Sequence, residues 1–104
     1  MSFNTGDHVL VKNEDGYWYP GRISSINTSS ITVKLENGKT SKVSKDLVHP
    51  YDWKIGQRAN CNWKLEGTYY WGMISKFLPD GSFWIVYDDG DLEKTTLEHC
   101  RCKE

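Results

Sequence analysis

No run of apolar residues in this sequence approaches the roughly 20 that a membrane-spanning helix requires. The opening Met1-Ser2-Phe3-Asn4 lacks the charged and apolar regions of a secretory signal peptide. A soluble, intracellular chain with no membrane partner is the expectation. Cysteine and proline are scarce, three of each in 104 residues. An odd number of cysteines cannot all pair within one chain, so reduced thiols are expected. The ending His99-Cys100-Arg101-Cys102 offers three ligating side chains, but no second cluster stands at structural-zinc spacing. No metal and no cofactor is expected. Net charge is close to absent: 13 Lys and Arg against 14 Asp and Glu leave −1. That balance lacks the basic footprint of a nucleic-acid-binding domain.

Catalytic signatures are missing as well. No segment resembles the strained nucleophile turn G-x-S-x-G, and Cys61 has no histidine placed to suggest a dyad. Asp88, Asp89, Asp91 and Glu93 form an acidic cluster, yet they fall on and beside a hairpin turn, where aspartate is favoured for turn reasons alone. The reading is a binding module and not an enzyme.

What the chain does have is aromatic residues and alternation. Five Trp and six Tyr exceed what a small core needs, and both types are favoured at recognition surfaces. Strand and turn signals alternate throughout. In the first half, strands are read over residues 8–12, 17–26, 31–36 and 39–43, with Pro20-Gly21 suggesting a bulge or edge and Asn37-Gly38 a type I′ hairpin. Residues 44–48 read as a short helical turn. The second half repeats the plan over residues 59–63, 69–77, 83–87 and 92–94, and Thr95-Thr96-Leu97-Glu98 starts like a capped helical turn.

The halves superpose as sequence. Gly6 matches Gly56, Gly21 matches Gly72, Ile23 matches Ile74, Gly38 matches Gly90 and Leu47 matches Leu97. An internal repeat sets the domain count before anything else does. The expectation is all-β: two five-stranded SH3-like barrels in tandem, residues 1–52 and 53–104.

Three segments of the second copy carry a resemblance: Cys61-Asn62-Trp63, Gly67-Thr68-Tyr69-Tyr70-Trp71-Gly72-Met73-Ile74, and Phe83-Trp84-Ile85-Val86-Tyr87-Asp88-Asp89-Gly90-Asp91. Together they resemble the Tudor domain family, in the form that reads methylated lysine. The resemblance implies that Trp63, Tyr70 and Tyr87 form an aromatic cage with Asp89 as its acid. It further implies a histone tail or another nuclear protein as partner, a nuclear location and a non-catalytic role, here for a monomer. Aromatic faces attract a diffuse methylammonium at about 0.5–2 kcal/mol each. A carboxylate additionally accepts the N–H that mono- and dimethyl-lysine keep and trimethyl-lysine lacks. Lower methylation states are therefore expected to be preferred. The sequence departs from the family at Asp91, where many members have a further aromatic, so Asp91 is a candidate rim and a weak site is expected.

The first copy keeps only Tyr19, opposite Tyr70; Asn13 stands for Trp63 and Leu35 for Tyr87. Its cage is incomplete. Three other binding readings stay open. Methylarginine would lie flat between Tyr70 and Tyr87. Nucleic acid would stack on Trp and Tyr, against which the net charge and the acids argue. A structural or proline-binding SH3-like module would have no working cage.

Overall fold

The segment Ile31-Thr32-Val33-Lys34-Leu35 buries every second side chain, as a strand with one face on a core must. The same logic runs through a chain whose computed structural model describes residues 2–103. The terminal Met1 and Glu104, included in the expected domain bounds, lie outside the described residues. The chain divides into two compact units between Asp52 and Trp53.

Unit 1 holds β1 (His8–Lys12), β2 (Trp18–Ile26), β3 (Ile31–Leu35), β4 (Thr40–Val43) and β5 (Val48–Pro50), in the sheet order β4-β3-β2-β1-β5. Unit 2 holds β6 (Arg58–Asn62), β7 (Tyr69–Phe77), β8 (Phe83–Tyr87), β9 (Leu92–Thr95) and β10 (Cys100–Arg101), in the order β10-β6-β7-β8-β9. All neighbours are antiparallel. The expected closure is not formed: among the described residues β4 does not pair with β5, nor β9 with β10. Short 3₁₀ turns, Lys45–Leu47 and Leu97–His99, join these strands in place of a ladder. Each unit is an open five-stranded antiparallel sheet.

The core of unit 1 is Val9, Val11, Ile23, Ile31, Val33, Leu35 and Val48, with Phe3, Tyr19 and Val43 packed against it. Most are β-branched, which suits a pleated, half-buried surface. In unit 2 the buried set includes Ala59, Cys61, Ile74, Phe83, Ile85 and Tyr87.

The repeat recurs bond for bond. Gly6 N–H donates to Ile23 O at 2.8 Å, and Gly56 N–H donates to Ile74 O at 2.8 Å. A Cβ on Gly21 would meet Lys34 O at 2.6 Å, and one on Gly72 would meet Val86 O at 2.7 Å. Only glycine admits so close an approach of neighbouring strands.

Several expectations need correction. Pro20 and Gly21 sit in regular register opposite Leu10 and Val9; the irregularity falls between Ile23 and Ser25, and again between Ile74 and Lys76. At each, an extra serine hydroxyl donates to the facing strand, Ser24 to Thr32 O at 3.2 Å and Ser75 to Trp84 O at 3.3 Å. The Asn37-Gly38 turn is not type I′, because Gly38 has φ +90° and Asn37 is not among the positive-φ residues. Instead Gly38 N–H donates to Leu35 O and Leu35 N–H to Lys39 O, a tight turn completed by a left-handed glycine. Thr96 makes no backbone cap; its hydroxyl contacts Glu98. The thiols are not all reduced: Cys61 and Cys100 face each other across β6 and β10 and are joined as a disulfide, while Cys102 is buried and not part of it. Strand pairing 39 residues apart brings them together, which counting alone does not reveal.

Candidate aromatic pocket

β6 ends at Asn62, one residue earlier than expected, so Trp63 opens a 3₁₀ turn and is not the last residue of a strand. That turn is unusual. Lys64 and Leu65 have φ of +52° and +57°, a left-handed conformation that costs a side-chain-bearing residue about 1–2 kcal/mol. Two side-chain acceptors, one from β9 and one from the residue before the turn, hold it. Lys64 N–H donates to Glu93 Oε2 at 2.8 Å, and Gly67 N–H donates to Asn62 Oδ1 at 2.7 Å.

The turn, the start of β7 and the end of β8 together frame a cleft of about 470 Å³. Trp63, Tyr70, Tyr87 and Asp89, singled out from the sequence, all line it. So do Tyr69, Trp71 and Asp88, which the sequence reading passed over. The uninterrupted run Tyr69-Tyr70-Trp71 was the available signal. Strand alternation puts Tyr69 and Trp71 on the face opposite Tyr70, and a pocket at the mouth of a strand escapes that rule.

The rings play different parts. Trp63 and Tyr70 meet at 86° with centroids 6.0 Å apart, and Tyr70 is 48% exposed. Tyr87 is buried at 3% exposure and forms a fixed wall, its hydroxyl donating to Glu93 Oε1 at 2.6 Å. Burial first, then the Glu93 carboxylate, pushes its phenol far above the ordinary range, so it stays protonated. Glu93 thus anchors both Tyr87 and the strained turn that carries Trp63.

The acids are unequal as well. Asp88 takes both forks of Arg58, at 2.5 and 2.9 Å, and this bond holds its carboxyl below the usual range. Arg58 in turn lies over the Trp71 ring at 5.6 Å. Asp91, expected at the rim, stands behind Trp63 in contact with its ring nitrogen. Its Oδ2 accepts the Trp63 indole N–H at 2.7 Å and its Oδ1 accepts Leu92 N–H at 3.0 Å. Asp91 therefore positions a ring. Asp89 accepts only the Asp91 N–H on Oδ1, at 2.9 Å, which leaves Oδ2 without a hydrogen bond among the described residues. Lys64 places its ammonium 4.6 Å from the Trp63 ring but lines a neighbouring depression with Leu65 and Glu93.

The depression beside Asn13 in unit 1 has no aromatic lining among the described residues. Asn13 accepts from Ser41 at 2.8 Å, Leu35 is buried, and the Tyr19 hydroxyl donates to Asp15 at 2.5 Å. No group of three metal-ligating side chains gathers among the described residues, and none of their helices is long and apolar enough to cross a membrane.

The class these features define is an all-β chain of two small antiparallel units, one of which carries an acid-edged aromatic pocket. No protein-family model matches the chain, and no curated protein matches it. Among solved structures it is similar to Arabidopsis thaliana AGDP1 AGD34, at 12% identity and a TM-score of 0.45, over 96% of this chain and 82% of that one. It is also similar to the ADCP1 tandem Agenet domain 3-4, at 13% identity and a TM-score of 0.44, over 96% of this chain and 79% of that one. Likeness this distant leaves function to the chemistry of the pocket.

Proposed function

We propose that this chain is a non-catalytic reader of methylated lysine on a protein tail, acting through the aromatic pocket of unit 2. A histone or another nuclear protein is the partner the Tudor resemblance suggests. The observation that carries the reading is Asp89: among the neighbouring aspartates it alone keeps a carboxylate oxygen uncommitted, and it does so at the edge of an aromatic cleft. A methylammonium is bulky, weakly hydrated and cationic, so ring faces and one acid suit it together. Perpendicular Trp63 and Tyr70 wall two sides of a roughly spherical cation. A flat guanidinium would favour parallel rings, which makes methylarginine the poorer fit. The open acid also favours mono- and dimethyl-lysine, whose N–H it can accept.

Calorimetric titration of the intact chain with one peptide in all lysine methylation states, and in methylarginine form, tests this. Dimethyl-lysine should bind tightest, at micromolar or weaker affinity. Trimethyl-lysine binding tightest would remove the role given to Asp89. Equal binding of methylated and unmethylated peptides would remove the reading altogether.

A further inference from the structure

The strand register makes unit 1 an internal control for the outward face of unit 2. Met73 on β7 lies opposite Val86 on β8, and Val86 lies opposite Leu92 on β9. Residues directly opposite on antiparallel strands share a face, while Ile74, Ile85 and Tyr87 take the buried one. Met73 is 46% exposed and Leu92 59%. In unit 1 the corresponding row is Arg22, Lys34 and Thr40. The flanking contact is kept, His8 beside Glu36 in one unit and the Arg58–Asp88 ion pair in the other. The fold therefore accepts charged residues across these strands, and the apolar row is particular to unit 2.

Beside that row runs a groove of about 500 Å³, lined by Ile55, Met73, Val86, Tyr87 and Asp88 among others. Tyr87 and Asp88 also line the aromatic pocket, so the two depressions meet at these residues. This continuity identifies the occupant. We infer that the groove docks an apolar side chain of the same peptide whose methylated lysine enters the pocket, from a residue flanking that lysine. The inference rests on the reader function proposed above. It adds that recognition extends to sequence, so an apolar residue at a fixed spacing from the modified lysine is part of the ligand. An extended peptide advances about 3.3 Å per residue and points alternate side chains the same way, so it can present both groups to one surface.

The test uses the intact chain and Gly-Ser peptides with a central dimethyl-lysine, in which a single leucine is moved through the flanking positions. One position should bind about tenfold tighter than the leucine-free peptide. The triple variant Met73→Arg, Val86→Lys, Leu92→Thr, which installs the row of unit 1, should lose that gain while binding the leucine-free peptide as before. Equal gains in wild type and variant, or no gain at any position, would overturn the groove and leave the reader function standing. Failure of wild type to bind any dimethyl-lysine peptide would overturn both. If wild type self-associates in sedimentation and the variant does not, the row joins copies of this chain and the inference is wrong. A preserved far-UV spectrum and melting temperature confirm that the variant is folded.

Discussion

Units 1 and 2 share a backbone plan and differ in what they hang on it. At the place where β1 meets β5, unit 1 sets Val11 against Val48; where β6 meets β10, unit 2 sets Cys61 against Cys100 and bonds them. One unit closes this corner by burial, the other covalently. Near the first hairpin, unit 1 ties Asn13 to Ser41, whereas unit 2 lifts Trp63 onto a strained turn and tethers it with Asp91 and Glu93. The difference teaches that the aromatic pocket is an addition to the fold. Strained backbone, paired acids and the covalent staple are all found in the unit that carries it.

The largest effect expected from breaking this comparison is on the disulfide. Cross-linking residues 39 apart stabilises by about 4 kcal/mol through loss of unfolded-chain entropy. Reduction should therefore lower the stability of unit 2 by an amount of that order and leave unit 1 unchanged. Residue-resolved hydrogen exchange with and without reductant measures it. Replacing both cysteines with valine, the pair unit 1 uses, should recover part of the loss.

Next come the close-approach glycines, where the units should behave alike. Gly21→Ala and Gly72→Ala each drive a methyl group into a facing backbone carbonyl, which overpacking makes destabilising by about 1–3 kcal/mol. Urea denaturation of the two single variants should give matching losses. A large inequality would mean that the repeat is less exact in its strand spacing than the hydrogen bonds indicate.

The matched tyrosines should then separate. Tyr70→Ala should weaken dimethyl-lysine peptide binding about tenfold, one ring's share. It should change stability by no more than about 0.5 kcal/mol, since the ring is exposed. Tyr19→Ala should do the reverse, costing about 1–2 kcal/mol of stability and no affinity, because Tyr19 packs on the core of unit 1. Calorimetry and urea denaturation on both variants decide the matter.

The smallest effect is a pH dependence confined to unit 1. Burial, then the charge of Arg22, holds the His8 imidazole below its usual value, while Glu36 opposes the shift. The unfolded state therefore takes up the proton first. Stability is full above about pH 6.5 and declines as pH falls from there toward the folded pKa. The matched position in unit 2 is Arg58, which Asp88 keeps charged throughout. Backbone amides of unit 1 should show the decline in hydrogen exchange while those of unit 2 do not. A decline in both units would place the titration elsewhere.

Local pattern determined much of this protein. The period of two in Ile31–Leu35, the apolar run Phe83–Tyr87 ended by Asp88-Asp89-Gly90, and glycines at matched positions made the strands and the repeat readable. Trp63, Tyr70, Tyr87 and Asp89 were readable too, as rings and an acid near loop ends. Tertiary structure decided the rest, because it depends on contacts between residues far apart in the chain. Cys61 meets Cys100 only through strand pairing, and the ladders stop short of closure where 3₁₀ turns intervene. Tyr69 and Trp71 join the pocket only because β7 starts at its mouth. The four acids look alike as letters. Which of them keeps an oxygen without a hydrogen bond among the described residues follows from the partners the fold gives the others: Arg58 for Asp88, Trp63 for Asp91, Tyr87 and the Lys64 amide for Glu93.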